Sequence, residues 1–399
     1  MPEKVTKLGF WGVRGSTPTV DRANWRYGGN TPCLEIVTSD HTRIIFDCGT
    51  GLRGVGNRWM NVYPDKPMEA HIFVSHYHWD HIQGIPFFAP LYSENNKFHF
   101  YSFRSEHLGR GSLQRVLDAQ MATPYFPVDT TVMSAQRDFT EISGGETLNI
   151  NGYKVRTRWL NHPQGCLGFR LETPQGILVY ATDNEPGVPE LDKNLRELAA
   201  GADIFINDAQ YTPEQLAGSK KGWGHSSWLE SVRVAEDANV KNLILFHHDP
   251  ESSDKMVDAI LREARQKGGN VWAAAEGMIM TMGGPGAAVA LPSTRTGQRR
   301  RTHFPATVEG YGEDGAPFTE KTIIHDLSLQ GAFLFMRHVP RLQSEVRVKM
   351  EAKLGDDGGQ GPIWLKGYVV RREPGPQPQM TGVGLVFTSE MDFEPPPEE

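Results

Sequence analysis

Three histidines and an aspartate lie within six residues of one another in the segment VSHYHWDH, residues 74–81. The segment follows the apolar run AHIF, which predicts a buried β-strand. Alternate side chains of an extended segment point the same way, so His76 and His78 can bind one metal ion. Asp80 and His81 lie just beyond and can turn toward a second ion. Because burying four such groups without partners is costly, the motif predicts a metal site.

Two metal ions need more ligands than these four side chains provide. His162, Asp183 and His247 each come just after an apolar strand and are the candidates for the missing positions. We expect Asp183 to bridge two ions about 3.5–4 Å apart, as in two-metal hydrolases. The expected ligand sets are His76, His78 and His162 for one ion, and Asp80, His81 and His247 for the other. Nitrogen and carboxylate ligands suit zinc, and they also suit manganese or iron.

The order of these residues, HxHxDH followed by His, Asp and His, resembles the metallo-β-lactamase superfamily over roughly residues 7–282. The resemblance implies an αβ/βα sandwich with two metal ions at the edge of two sheets. It also implies that Asp47, in FDCGTG, supports the metal-binding loop from outside the ligand set. His248 competes with His247 as a ligand, and His247 is preferred because the family ends this strand with the ligand. Redox di-iron members carry HxExD and lactamases carry a cysteine in the fourth motif, so this sequence fits neither.

Two further segments, GFWGVRGSTP near the start and FINDAQ…KGWGHSS, resemble the ribonuclease Z and phosphonate-pathway phosphodiesterase branch. The resemblance implies that His225 donates a proton to the leaving alkoxide and that Asp208 orients it, beside Asp80 in the catalytic centre. His225 could instead cap the helix that starts at Ser226, and both roles could coexist. The predicted enzyme is a metal-dependent hydrolase, with phosphodiester hydrolysis as its reaction.

Small phosphodiesters, including cyclic nucleotides, are the predicted substrates. The chain has NDAQ where tRNA-processing enzymes have a His–Glu motif, it lacks their basic arm, and its net charge of -7 disfavours long nucleic acid. Arg14 is interpreted either as a phosphate contact or as a structural ion pair. Residues 118–129, with Met121, Tyr125 and Phe126 expected at the surface, suit a substrate lid, a satellite core or a homodimer contact.

The length of 399 residues favours two domains. No apolar run approaches the roughly 18 residues of a membrane-spanning helix, and the first residues do not predict a signal peptide. Three cysteines do not suggest a disulfide framework, so a reducing cytoplasm is the expected location. Helices are predicted over 189–200, 226–238 and 253–267, the last with Ser253 as its N-cap and Gly268 and Gly269 at its end.

The composition changes at residue 283. Residues 283–298 are small and rich in Gly, Pro and Ala, which predicts a linker after a domain spanning 1–282. Short alternating strands then predict a small β-barrel over 299–391, followed by a disordered tail at 392–399. The fold class is therefore α+β, with a sandwich and a barrel.

The second domain contains an arginine cluster and, about 25 residues later, the pattern D-x-S-x-x-G in DLSLQG. Together they resemble a PilZ domain, a six-stranded barrel that binds cyclic di-GMP. The resemblance implies ligand contacts from Arg295, Arg299, Arg300, Asp326, Ser328 and Gly331. His303 occupies the expected place of the second family arginine, so a barrel that only contacts proteins is the alternative. The alternatives for the whole chain are a cyclic di-GMP sensor with little hydrolytic activity and an RNA-processing nuclease.

Overall fold

The computed structural model describes residues 5–64, 66–283, 289–290, 300–328, 331–350, 353–354, 359–360, 363–375, 377 and 379–387. The chain divides into two compact units, Met1–Ala288 and Val289–Glu399. The predicted linker lies largely outside the described residues, and the predicted tail lies entirely outside them. The boundaries inferred from the sequence therefore stay predictions.

The first unit contains one sheet with the strand order β14-β1-β2-β3-β4-β5-β6. Its central strands β3 to β6 run parallel to one another. Strands β3 to β5 are mostly buried because both faces of this part of the sheet are covered, whereas the edge strand β6 alternates exposed and half-buried residues. The strands are β1 Thr6–Gly12, β2 Cys33–Val37, β3 Arg43–Phe46, β4 Glu69–Phe73, β5 Lys97–Phe103, β6 Gln136–Ile142 and β14 Ile279–Met282.

The second sheet of this unit has the order β13-β12-β11-β10-β9-β8-β7. Strands β10 to β13 are parallel, and β8 shares their direction because both β8 and β10 pair antiparallel with β9. The strands are β7 Thr147–Ile150, β8 Tyr153–Leu160, β9 Cys166–Thr173, β10 Gly176–Ala181, β11 Ile204–Asp208, β12 Leu243–Phe246 and β13 Val271–Ala273.

The two sheets pack face to face through aromatic rings. The Phe46 ring lies 5.2 Å from Phe169 and 5.4 Å from Tyr180, centroid to centroid. Phe73 also contacts Phe169 at 5.4 Å. These contacts join β3 and β4 to β9 and β10, and they form the interior of the sandwich that was expected from the family resemblance.

Helices flank the sheets of the first unit. The predicted helices over 189–200, 226–238 and 253–267 are confirmed, and Ser253 caps the last one by accepting a hydrogen bond from the Met256 amide. The α-helices are α1 Gly51–Val62, α2 Trp79–Ile82, α3 Ser112–Gln120, α4 Pro189–Ala199, α5 Pro213–Ala217, α6 Trp228–Asp237 and α7 Asp254–Lys267. The 3₁₀ turns are Arg22–Asn24, Ile85–Phe87, Ala89–Tyr92 and Thr130–Val132. None of the helices in the described ranges has the length and apolar character needed to cross a bilayer.

The segment 118–129 begins in the last turn of α3 and then continues without regular structure. Tyr125 is exposed and Phe126 is half-buried, with its ring 5.8 Å from that of Phe87. The expectation that Met121 is exposed is wrong. Its side chain is buried in the apolar cluster beneath the first sheet because α3 folds back onto that cluster.

The second unit contains a closed barrel with the strand order β16-β17-β18-β23-β22-β19, which confirms the predicted small β-barrel. Its interior is apolar and includes Val308, Ile324, Leu334, Val348 and Val383. The barrel strands are β16 Arg300–Tyr311, β17 Pro317–Ser328, β18 Gly331–Met336, β19 Glu345–Met350, β22 Ile363–Pro374 and β23 Thr381–Phe387. The short strands are β15 Val289–Ala290, β20 Lys353–Leu354 and β21 Gly359–Gln360, of which the last two pair with each other.

Candidate metal centre and catalytic pair

The candidate site lies where strands of both sheets of the first unit end. The loop that carries His76, His78, Asp80 and His81 follows β4, and Asp47 follows β3. In the second sheet His162, Asp183 and His247 follow β8, β10 and β12, and Asp208 is the last residue of β11. The carboxyl ends of parallel strands share one edge of a sheet, so these side chains meet there.

Three of these residues adopt a backbone conformation that residues other than glycine rarely take. The φ angles of Asp47, Asp183 and His247 are 60°, 57° and 60°. Such conformations cost about 1–3 kcal/mol each and persist where the surrounding structure imposes them. The chain therefore accepts strain at three neighbouring strand ends. The turn places Asp183 and His247 in the cluster and Asp47 directly behind it.

His76, His78 and His162 form a first group of candidate metal ligands, with ligand atoms within 4.8 Å of one another. The His162 Nε2 and His78 Nδ1 atoms lie 3.0 Å apart. The His76 Nε2 atom is buried without a hydrogen-bond partner. Burial lowers the pKa of His76 well below its usual value and that of His162 to about 4, so both rings are neutral, the form that binds metals.

Asp80, His81 and His247 form a second group of candidate metal ligands. The Asp80 Oδ2 atom lies 3.3 Å from His81 Nε2 and 3.2 Å from His247 Nε2. The same oxygen accepts a hydrogen bond of 2.8 Å from the Ser16 amide, which fixes the carboxylate. Asp80 and His81 belong to the histidine motif of the first sheet, whereas His247 joins them from the end of β12 in the second sheet.

The Asp183 carboxylate lies between the two groups. Its Oδ1 atom is 3.7 Å from His76 Nε2 and 3.8 Å from His162 Nε2. Its Oδ2 atom is 3.3 Å from both His81 Nε2 and His247 Nε2. One oxygen therefore faces each group, as a carboxylate that bridges two cations would.

The orientation of the His162, His81 and His247 imidazole rings fits metal ions, because their Nδ1 atoms contact groups outside the cluster and their Nε2 atoms face into it. His162 donates through Nδ1 to the Gly224 carbonyl at 2.7 Å, and His81 Nδ1 lies 2.8 Å from the Asp47 carboxylate. Their Nε2 atoms therefore point into the cluster, and each offers a lone pair to a metal ion when its ring is neutral. Burial disfavours the charged form of His81, but the carboxylates of Asp183, Asp80 and Asp47 outweigh burial and raise its pKa well above its usual value. His81 Nε2 and His247 Nε2 face each other at 3.2 Å, while His247 Nδ1 lies 2.8 Å from Gln210 Oε1. Two neutral rings with lone pairs facing each other at this distance would repel, so a proton or a metal ion between them is favoured.

Asp47 holds the histidine loop in place from outside the cluster. Its Oδ1 atom accepts from the Ser75 amide at 2.7 Å, and its Oδ2 atom accepts from Ser75 Oγ at 2.8 Å and Tyr180 Oη at 2.7 Å. The same oxygen orients His81. Such contacts fix the tautomer and direction of a metal-binding histidine. Ser75 and Tyr180 were not singled out from the sequence.

His225 and Asp208 form a buried pair beside the cluster. The His225 Nδ1 atom lies 2.9 Å from Asp208 Oδ2 and 3.6 Å from Asp183 Oδ1. Burial alone would lower the pKa of His225, but the charge and hydrogen bond of Asp208 outweigh it and raise the pKa to about 9. Helix α6 is capped by Ser227 and not by His225, so the capping alternative is wrong. Asp208 and His225 also lie close enough to Asp183 and His247 to form a further potential ligand group.

Arg14 and His248 lie outside this cluster. Arg14 is fully buried, donates to the carbonyls of Gly28, Asp249 and Ser252, and lies 3.9 Å from Asp254 Oδ1 through Nη2. The structure therefore favours the structural ion pair, and the interpretation as a phosphate contact is wrong. His248 lies 3.0 Å through Nε2 from the Ala274 carbonyl, and burial lowers its pKa to about 3. Of the two neighbouring histidines, the structure places His247 in the cluster.

A family model described as "Beta-lactamase superfamily domain" matches residues 42–248, just over half of the chain. The chain belongs to the beta-lactamase superfamily. The fold of this superfamily implies a dinuclear metal site, and the His/Asp cluster described above is present at the corresponding sheet edge.

Relatives of this superfamily member include ribonuclease Z of Haloferax volcanii, 24% identical over 288 residues, covering 60% of this chain and 83% of the relative. Ribonuclease Z of Archaeoglobus fulgidus is 27% identical over 317 residues, covering 65% and 92%. The protein is a metallo-β-lactamase-fold hydrolase related to these enzymes.

Two solved structures of the superfamily share the fold of the first unit. YhfI from Bacillus subtilis has a TM-score of 0.51 at 16% identity, covering 70% of this chain and 100% of that protein. A diphosphatase from the PhnP family has a TM-score of 0.51 at 18% identity, covering 69% and 97%. Similarities at this level of identity show a common fold.

The second unit of this superfamily member is a PilZ domain, matched over residues 294–395. Arg300 begins β16, Asp326 and Ser328 end β17, and Gly331 begins β18. The backbone register pairs Arg300 with Leu327, Arg301 with Asp326, and Ser328 with Gly331. Arg295 and Arg299 lie outside the described residues.

Proposed function

We propose that this protein is a dinuclear metal-dependent phosphodiesterase for small phosphodiesters, including cyclic nucleotides, whose PilZ barrel binds cyclic di-GMP. The observation that carries the first part is the His225–Asp208 pair, which lies beside the Asp183 carboxylate and therefore beside both ligand groups. The cluster of imidazoles and carboxylates accounts for metal binding but not for proton transfer. A protonated histidine held next to it supplies the proton that a leaving alkoxide needs.

The ligands would be His76, His78 and His162 for one ion, and Asp80, His81 and His247 for the other, with Asp183 between them. Two ions bound there would supply Lewis acidity toward the phosphoryl oxygens and would activate the attacking water. Zinc fits these ligands, as do manganese and iron. Asp47 and Gln210 keep the second group oriented by fixing Nδ1 of His81 and His247 respectively.

The proton-transfer role of His225 follows from its two ring nitrogens. Nδ1 faces Asp208, which leaves Nε2 free to donate to the leaving oxygen. The raised pKa keeps a proton on the ring near neutral pH, and the positive charge of bound metal ions would lower that pKa toward the working range. Asp208 is itself held by the Asp183 and Gln210 amides, so the pair has a fixed geometry.

Hydrolysis assays over a panel of diesters test the proposed activity, with metal content measured on the same sample. The panel contains bis(4-nitrophenyl) phosphate, cyclic mononucleotides, linear dinucleotides and a precursor tRNA. We expect the small diesters to be cleaved and chelation to abolish cleavage. RNA is the second candidate because the relatives are named ribonuclease Z. Cleavage of the tRNA in preference to every small diester would support that reading and contradict ours.

The cyclic di-GMP proposal rests on the register of the barrel. Arg300 and Arg301 lie on β16, and Asp326 and Ser328 lie on β17, with Arg301 opposite Asp326. Arginine forks bind phosphate and stack on bases, and a carboxylate accepts hydrogen bonds from guanine. The two motifs therefore lie close enough along the β16–β17 ladder to contact one ligand.

We expect cyclic di-GMP to bind the full-length chain with an affinity that falls with added salt. Replacing Arg299 and Arg300 by alanine should weaken binding about tenfold or more, since each removes a charge-assisted bond of about 1.5–3 kcal/mol. Asp326→Ala should weaken binding without changing its salt dependence. Titration calorimetry measures both effects.

The matched control for charge removal is Arg347→Ala, an exposed position on β19 of the same barrel. It should leave the affinity for cyclic di-GMP unchanged. Absence of binding at high micromolar ligand would show that His303 has replaced an essential arginine and that the barrel contacts proteins instead. Binding without hydrolysis of any diester would favour the sensor interpretation of the whole chain.

A further inference from the structure

Because Arg14 is buried outside the site, another side chain must supply any positive charge that contacts the substrate away from the metal ions. Lys220 is half-buried in the loop before His225, and its Nζ lies 4.1 Å from the ring centroid of Trp223 and 5.5 Å from that of Tyr211. Among the described residues no carboxylate lies within 4 Å of this ammonium, whereas Lys241 and Lys366 each form an ion pair. The charge of Lys220 is therefore available to an anion from outside.

The position of Lys220 places that charge on the side of the leaving group. The Tyr211 ring, over which the ammonium lies, packs edge-on against His225 with a centroid distance of 5.7 Å. Trp223 precedes His225 by two residues, and its side chain is 56% exposed. Because His225 is the proposed proton donor to the leaving oxygen, the group attached to that oxygen must lie near these rings.

The loop that carries Lys220 is held at both ends. The Lys220 amide donates to the Gln215 carbonyl at 3.0 Å, and Gln215 completes the capping box of α5 with Thr212. On the other side the Glu185 carboxylate accepts from the Gly222 amide at 2.7 Å and the Gly224 amide at 2.8 Å. The contacts of the ammonium with the Tyr211 and Trp223 rings position the long Lys220 side chain before a ligand arrives. Less conformational entropy is therefore lost on binding.

Gly224 ties this loop to the metal centre. Its carbonyl accepts from His162 Nδ1, its φ angle is 85°, and a Cβ atom there would lie 2.4 Å from His162 Nδ1. The residue must therefore be glycine. The two hydrogen bonds that Glu185 accepts from Gly222 and Gly224 consequently fix the position of Trp223 relative to both His162 and His225.

We propose that Lys220 binds a second phosphate on the leaving alcohol of the substrate, with the exposed indole of Trp223 packing against the attached base. The preferred substrates are then phosphodiesters whose leaving group is itself a nucleotide. This inference rests on the proposed phosphodiesterase activity and on His225 marking the leaving-group side. An ammonium binds phosphate as a point charge, and among the described residues no carboxylate lies within 4 Å of this one to compete.

The experiment compares two linear dinucleotides that differ only in a terminal phosphate on the leaving nucleoside. The wild-type enzyme should cleave the phosphorylated one with the higher kcat/KM. Lys220→Met should lower kcat/KM for this substrate about tenfold or more, mainly through KM, and change the other substrate less than about twofold. Lys220→Arg should retain part of the preference. The matched control is Lys221→Met, which removes the neighbouring exposed lysine and should have no effect on either substrate.

A direct binding measurement separates this inference from the proposed activity. The probe is the leaving nucleoside carrying two phosphates, one at the position of the scissile phosphate and one at the terminal position. In calorimetry it should bind the metal-loaded wild type about tenfold or more tightly than Lys220→Met. Equal affinities, or cleavage of both dinucleotides without preference, would overturn the role of Lys220 while the phosphodiesterase stands. Tight, Lys220-dependent binding together with no cleavage of any diester would instead overturn the proposed activity.

Discussion

We expect Asp183→Ala to lose most of its bound metal and to have no measurable hydrolytic activity. Each oxygen of this carboxylate faces one ligand group, so the substitution removes a negative ligand from both ions. The metal content should fall from about two ions per chain to fewer than one, as in sites that depend on a shared carboxylate. His76→Ala removes a ligand of one group only and should lose about one ion. Elemental analysis of the purified protein measures both.

Matched variants separate metal loss from misfolding. His107→Ala replaces an exposed histidine on a loop outside the cluster and should keep the full metal content. Asp183→Asn keeps the side-chain shape but removes its charge, and it should bind less metal than the wild type. Circular dichroism should be unchanged in all variants. Full occupancy in both Asp183→Ala and His76→Ala would contradict the assignment of these residues as ligands.

We expect His225→Ala to retain its metal ions while its phosphodiesterase rate falls by about 10²–10⁴, the usual scale for general acid–base catalysis. The loss arises because the leaving alkoxide is no longer protonated. Substrates with good leaving groups, such as 4-nitrophenyl esters, need little protonation and should show a smaller loss than alkyl esters. Rates for a series of leaving groups, measured on metal-loaded protein, give this dependence.

The metal content of the same variant distinguishes the two roles that the geometry of His225 allows. Asp183, Asp208, His225 and His247 lie close enough to share an ion. If His225→Ala loses metal, His225 is a ligand and the proposed proton donor is wrong. An equal loss of rate across all leaving groups, with metal retained, would indicate that His225 only supports its neighbours. The control His107→Ala should match the wild type on every substrate.

Much of the fold of the first unit could be predicted because its strands are short apolar runs that end in polar residues. The strands ending before Asp47, Asp183 and His247 formed as expected, and so did the helix capped by Ser253. Helix α1 was not predicted because Gly51, Gly54 and Gly56 lower helix propensity, and packing against the first sheet overrides that preference.

The errors concern residues whose environment is built from distant parts of the chain. Arg14 donates to the carbonyls of Asp249 and Ser252, which lie 235 and 238 residues away along the sequence. Nothing near Arg14 in the sequence indicates that these acceptors will surround it. Met121 follows a short helix, and its burial depends on how that helix meets the apolar cluster.

The sequence by itself determined which chemical groups this protein has for its site and in what order they come. Spacing within HxHxDH fixes relative directions over a few residues, and the carboxyl ends of parallel strands must share an edge. Only the tertiary structure decided which atom faces which. It turned His247 into the cluster and His248 away from it, placed Asp183 between two groups, and brought Lys220 beside Tyr211. These relations depend on how two sheets pack, and packing joins side chains that no local pattern connects.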